Sequence, residues 1–165
     1  MQLDSEVLRG LIKIQNSIYS QQFTHSELLD LICYHAMSLT RATGSVIEYV
    51  QNGQIEYHST AGACDLYRGI VFPAENSLSH ICFTGKKAML CTDAENDDRV
   101  NKEQCRRVGV VSMALVPLVS RNRIMGVLKV ISDQKNGFDE KTVEALTLIS
   151  GFLATSLLKA EVEEE

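Results

Sequence analysis

The residues that could do chemistry are few and scattered along the chain. Five cysteines, Cys33, Cys64, Cys82, Cys91 and Cys105, are an odd number at irregular spacing. They spell neither a closed disulfide framework nor a CxxC zinc pair, so reduced thiols and no metal site are expected. Cys105 is followed by Arg106 and Arg107, and neighbouring cations would lower a thiol pKa toward that of a nucleophile. The ordinary alternative is that all five are small buried hydrophobes. Ser77, Leu78 and Ser79 open a short helical pattern, whose unpaired first-turn N–H groups make an anion site unless water and Asn76 satisfy them. Lys129 lies between Leu128 and Val130 in an apolar run, so its charge must snorkel to solvent at a sheet edge, meet a carboxylate or meet a ligand. Facing a pocket, it would favour an anionic ligand. Tyr49, Tyr57 and His58 are either pocket walls or sheet packing. Asp93 and Arg99 either touch a ligand or brace the loop between a strand and a helix.

The elements that must position these groups follow from periodicity. Apolar residues at three- and four-residue spacing (Leu8, Leu11, Ile14, Ile18) predict a helix over residues 3–19. A second helix follows Thr24, whose hydroxyl can form a capping box with Glu27, and should stop near Gly44. The period then becomes two. Residues 45–50 and 54–60 flank Asn52-Gly53, the strongest short-range hairpin signal. A type I′ turn would put Val46, Glu48 and Val50 on one face with Ile55, Tyr57 and Ser59, and Ile47 and Tyr49 on the other with His58.

Residues 61–73 read as irregular, and a short helix capped by Asn76 or Ser77 follows and ends at Gly85. A brief strand at 88–91, a polar loop and a second short helix over about 100–108 come next. Residues 110–119 and 124–131 form a central antiparallel pair, irregular at Pro117 because proline has no N–H donor. From about Asp139 a long helix carries Val143, Leu146, Ile149 or Ser150, Leu153, Leu157 and Ala160 at near-heptad spacing. Such a stripe needs a partner, and a twofold mate would hide it.

Composition bounds the function. The 165 residues are 45% apolar, 22% charged and 6% aromatic, which suits one globular domain and excludes disordered and collagen-like classes. The net charge of −5 owes four charges to Glu161, Glu163, Glu164 and Glu165, and Arg106-Arg107 is a dense basic spot but no basic stripe. Nucleic-acid binding is therefore disfavoured. The longest uncharged stretches, 108–120 and 145–158, fall short of the ~20 residues of a membrane-spanning helix, and the N-terminus does not read as a signal peptide.

The stretch from Val71-Phe72-Pro73 through Ser77-Leu78-Ser79-His80-Ile81-Cys82-Phe83-Thr84-Gly85, then Asp93, Asp98-Arg99-Val100, Gly109-Val110-Val111-Ser112, Val116-Pro117-Leu118 and Gly126-Val127-Leu128, resembles a GAF domain. The resemblance covers residues 27–159, and its words are specific through their order and spacing. It implies an α+β fold, a central antiparallel sheet of about six strands with helices on both faces and long N- and C-terminal helices. Residues 1–165 would be one domain, with a dimerisation or linker helix at 1–20 and a signalling helix at 139–165.

The resemblance also implies a sensory role, in which a small molecule bound beneath the short helices is signalled through the terminal helices to an attached output domain. The run Cys105-Arg106-Arg107-Val108-Gly109-Val110-Val111-Ser112-Met113 is similar to GAF domains of bacterial signalling proteins such as diguanylate cyclases and histidine kinases, components of two-component systems among them. Tyr49, Tyr57, Ser77, Leu78, Ser79, Asp93, Arg99, Cys105, Met113 and Lys129 are the ligand-binding candidates. No cofactor is singled out: the ligand is an unknown small molecule, a nucleotide or other anion among the choices, and the domain would be a cytoplasmic, non-catalytic homodimer. Of the cyclic-nucleotide subgroup's later motifs only Phe138 matches, Ser132-Asp133 and Thr142-Val143 standing at the other places. No cysteine precedes a histidine, so a covalent bilin is not expected. The enzyme alternative is a GAF protein that reduces free methionine sulfoxide, with Cys105 near that family's reactive cysteine. Leu78 stands where its other cysteine falls. A further alternative is a ligand-free dimerisation module.

Overall fold

The computed structural model describes residues 5–20 and 23–164. Helices α1 (Ser5–Ser20) and α2 (His25–Thr40) lead into the hairpin β1 (Gly44–Gln51) and β2 (Gln54–Gly62). Strand β3 (Val71–Pro73), helix α3 (Leu78–Gly85), strand β4 (Met89–Cys91) and helix α4 (Lys102–Val108) follow. The long strands β5 (Ser112–Ser120) and β6 (Arg123–Ser132) precede helix α5 (Glu140–Glu164). The strands form one antiparallel sheet in the order β3-β2-β1-β6-β5-β4.

Local chemistry accounts for most boundaries. Thr24 caps α2, its Oγ1 accepting from the Glu27 N–H at 3.2 Å. The other half of the expected capping box differs: the Glu27 carboxylate accepts from the Thr24 hydroxyl instead of reaching a backbone N–H. Helix α2 ends at Thr40, four residues before Gly44, because Arg41 takes the left-handed conformation (φ 58°) and the Arg41 and Ala42 N–H groups close the last turn. Gly44 instead opens β1. Asn52 and Gly53 both have positive φ, 54° and 73°, as a type I′ turn demands.

The hairpin departs from simple alternation at one place. Ile47 faces Ser59 while Glu48 faces Tyr57, so His58 is an extra residue in β2. This bulge changes the parity of the strand. Tyr57 stays with Val46, Glu48 and Ile55, but Ser59 goes to the opposite face with Ile47. Residues 71–73, expected to be irregular, form the edge strand β3 on Gln54–Glu56. At the other end β4 pairs only with Met113–Leu115 of β5. Pro117 keeps its register opposite Val127, and the irregularity falls one step later, between Leu118 and Val119.

Two apolar layers enclose the sheet. On one face Ile47, Val116, Leu128 and Val130 pack with Leu11 and Ile14 of α1, Leu28, Leu29 and Ile32 of α2, and Leu146, Ile149 and Leu153 of α5. On the other, Val46, Ile55, Tyr57, Met113, Leu115, Val127 and Ile131 pack with Leu78 and Cys82 of α3, with Val108 of α4 and with Val100 just before it. The described part of the α5 stripe, Val143 to Leu153, therefore finds its cover inside the chain. Leu153 is 0% exposed, and no twofold mate is needed to bury it. Leu8 and Ile12 of α1 and Leu148 of α5 are the exposed apolar residues of the terminal helices among the described residues. Residues 3 and 4 of the expected first helix and the side chains of Ile18, Leu157, Ala160, Glu161, Glu163, Glu164 and Glu165 lie outside the described residues.

Candidate functional site

Helices α3 and α4 stand over the second face of the sheet and leave a cavity of about 30 Å³, room for about two waters at the ~10–15 Å³ each requires. Tyr57, Met113 and Lys129 rise from the sheet as its floor. Ser77, Leu78 and Ser79 supply one wall, at the start of α3; Gln104 and Cys105 of α4 supply the other, with Asn101 at its cap. Phe72, Val100 and Val110 complete it.

The polar centre of the floor is an ion pair inside the sheet. Lys129 lies directly opposite Val46 of β1, and Glu48 is two residues further along the same face, within reach of a long side chain as a diagonal neighbour. Lys129 Nζ donates to Glu48 Oε2 at 2.9 Å and to the Tyr57 hydroxyl at 3.1 Å. Lys129 is 6% exposed and Glu48 0%. Burial works against the ammonium, but the Glu48 carboxylate and Tyr57 outweigh it and hold the Lys129 pKa above the usual lysine value. Burial pushes the Tyr57 phenol up to about 12 against the pull of Lys129. The floor thus holds a protonated lysine and a protonated tyrosine. Lys129 sits in a central strand and does not snorkel to an edge; its ammonium meets the Glu48 carboxylate and also lines the cavity.

At the start of α3 the cap is Ser77, not Asn76, which takes φ 60° just before it. Ser77 Oγ accepts from the His80 N–H at 3.1 Å and donates to the Ala74 carbonyl at 2.6 Å. The Ile81 N–H is bonded to the Ser77 carbonyl. Leu78 and Ser79 remain as the uncapped first-turn amides beside the cavity.

Cys105 lines the cavity, but its surroundings do not activate it. Burial raises the thiol pKa, opposed by Lys129. Arg106 turns away to a two-pronged contact with Glu95 at 2.7 and 2.8 Å, and Arg107 is exposed. The expected lowering by the two arginines does not occur. Cys33, Cys64, Cys82 and Cys91 are buried, and burial pushes each thiol up to about 12.

Seven of the ten candidates, Tyr57, Ser77, Leu78, Ser79, Cys105, Met113 and Lys129, meet at this cavity. Three do not. Tyr49 packs with the cluster on the opposite face of the sheet, its ring stacked on that of His58 at 4.1 Å. Asp93 accepts from Asn96 at 2.7 Å and pairs with Lys135 at 3.5 Å. Arg99 bonds Asp97 and the Leu90 carbonyl, so Asp93 and Arg99 brace the loop between β4 and α4. Glu48 and Gln104 were missed by sequence reasoning. Glu48 carried a usable signal, an acidic residue alternating with Val46 and Val50 in a strand that the hairpin makes internal. Gln104 carried none, since its role depends on where α4 lies.

A six-stranded antiparallel sheet with helices on both faces and a cavity under two short ones defines an architecture of the α+β class. The chain belongs to the GAF domain family, whose model matches residues 24–157. No curated protein matches the sequence. Among solved structures it is similar to the GAF domain of an Acinetobacter phosphoenolpyruvate-protein phosphotransferase (18% identity, TM-score 0.81, covering 98% of this chain and 99% of that one). It is also similar to the free methionine-R-sulfoxide reductase of Neisseria meningitidis, solved with its substrate (15% identity, TM-score 0.80, 99% and 96%). A third is the chromophore-binding domain of a bacteriophytochrome from R. palustris (12% identity, TM-score 0.79, 99% and 65%). At such identities the likeness carries the fold. Among the described residues no helix is long and apolar enough to cross a membrane.

Proposed function

We propose that this GAF domain is a non-catalytic sensory module that binds a small molecule in the cavity beneath α3 and α4 and signals through α1 and α5 to an attached output domain. The observation that carries the reading is the cavity itself, where Ser77, Ser79, Gln104 and Cys105 meet over Lys129, which is held in a buried pair with Glu48. The output would be a bacterial signalling enzyme, a diguanylate cyclase or histidine kinase, with a phosphotransferase like that of the Acinetobacter neighbour as a further choice. The domain would work in the cytoplasm as a homodimer through the exposed Leu8, Ile12 and Leu148. No covalent bilin is proposed.

The test is a thermal-shift screen against nucleotides, cyclic nucleotides, small carboxylates, amino acids and methionine sulfoxide, repeated on Gln104→Ala. A ligand of the folded state adds about 2.7 kcal/mol of stability at a hundredfold excess over its Kd. A shift present in the wild type and lost in Gln104→Ala supports the reading. A flat screen favours the ligand-free dimerisation module, to which the small size of the cavity already speaks. Turnover of methionine sulfoxide dependent on Cys105 would favour the enzyme. Against it stands the chemistry of the wall, where Cys105 is the only cysteine among the described residues lining the cavity and burial holds its thiol protonated.

A further inference from the structure

The start of a helix and a lysine in one cavity suggest an anion site, and the expectation from sequence was an anionic ligand. The geometry points elsewhere. Lys129 does not present a bare charge, because Glu48 Oε2 lies 2.9 Å from its Nζ and the two together present a dipole, whose field falls off faster than that of an ion. Both members are buried. The second oxygen of Glu48 has no hydrogen-bond partner, so the carboxylate is balanced against Lys129 and Lys129 alone.

What the walls offer is neutral hydrogen-bond donation. Of the three ammonium hydrogens of Lys129, Glu48 and Tyr57 take two. The side-chain nitrogen of Gln104 is buried without a partner. Ser79, a residue 4% exposed, lines the same cavity, and its amide and that of Leu78 stand in the uncapped first turn of α3. Unpaired buried donors are costly to leave unmade, so a molecule rich in acceptors is the one that gains most there.

We propose that Glu48 sets the ligand class of this cavity: by cancelling Lys129 it selects small uncharged molecules rich in hydrogen-bond acceptors, amides or other carbonyl compounds, and turns small anions away. This rests on the reading of the cavity as a ligand site. Glu48 is here a specificity residue and not a ligand contact.

The experiment compares formamide with formate, equal in heavy atoms and different in charge, at matched ionic strength. Binding is read from the Gln104 side-chain amide in ¹H–¹⁵N spectra, inside the cavity itself. In the wild type formamide should bind at least tenfold more tightly than formate. In Glu48→Gln formate should gain at least tenfold. Formate binding as well as formamide in the wild type, or unchanged formate affinity in Glu48→Gln, overturns the proposal while leaving the ligand site standing. If neither probe moves the Gln104 amide in either protein, the ligand reading falls and this inference with it. Should Glu48→Gln not fold, the wild-type comparison still decides. The charge-free double variant Glu48→Gln/Lys129→Met adds a control that must show no gain for formate; a gain there would overturn the role given to Lys129.

Discussion

Replacing Leu153 with alanine separates a core helix from a dimerisation helix. Leu153 is 0% exposed and packs in the cluster that Leu11, Leu28, Ile32 and Leu146 share, so its side chain contributes to the fold of a single chain. Truncation removes three carbons, about 2.4 kcal/mol of transfer at ~0.8 kcal/mol each. A residual void of ~40 Å³ would add about 1 kcal/mol. The expected loss is about 3 kcal/mol, read as a lower urea midpoint at unchanged slope. Sedimentation velocity should give the same species for both proteins, and the midpoint shift should be the same at two protein concentrations tenfold apart. A loss under about 1 kcal/mol, or conversion of a dimer to a monomer without loss of fold, would refute the assignment of Leu153 to the interior and restore the stripe to an interface.

Gly126→Ala should destabilise by about 1–3 kcal/mol, because a Cβ there runs into the Glu48 carbonyl oxygen of β1, backbone that no rotamer change can move; an unchanged urea midpoint would contradict this. In thiol labelling of the native protein at pH 8, Cys105 alone should react, and more slowly than the unfolded chain, since burial raises all five thiols and the other four are fully enclosed. Labelling of Cys105 faster than in urea would speak for an activated nucleophile. Hydrogen bonding from Arg99 holds the Asp97 carboxyl well below the usual carboxylate range. The stability it contributes is present above the unfolded pKa of ~3.9 and is lost as pH falls below it. The Tm gap between wild type and Asp97→Asn should therefore be widest near neutrality and shrink below about pH 4, and a gap independent of pH would count against the Asp97–Arg99 contact.

The parts of the fold governed by neighbours in sequence were legible in it. Thr24 and Ser77 as caps, Asn52-Gly53 as a turn and Gly109 as a helix stop each act over a few residues. What needed the third dimension was missed. The parity change at His58 moves Ser59 to the other face and leaves no mark in composition. Strand β3 is three residues ending in proline and exists only because β2 lies beside it. The near-heptad pattern of α5 was real, but its period is also that of a helix lying on a sheet beside two others, and spacing does not reveal which partner covers it. In the site, Lys129 demanded a counter-charge on chemical grounds, yet only the pairing of β1 with β6 identifies Glu48. Tyr49 and Tyr57 fall on opposite faces, as the type I′ turn required, and only the packing of α3 and α4 on the Tyr57 face shows which of the two reaches the cavity.

The short length of β4 has a consequence for the behaviour of the protein in concentrated solution. Beyond Leu115 the outer side of β5 has no strand beside it, and an open edge is a template on which a second chain can add a strand and begin to aggregate. Pro117 stands in that open length with no N–H to offer. Lys86, bonded through its ammonium to the Asn122 carbonyl at 3.2 Å, sets a charge close by, since it lines a groove with Val116, Pro117 and Val119. The residue that looked from sequence like a flaw in a central strand thus stands where the open edge of β5 would otherwise offer a further chain its full row of donors.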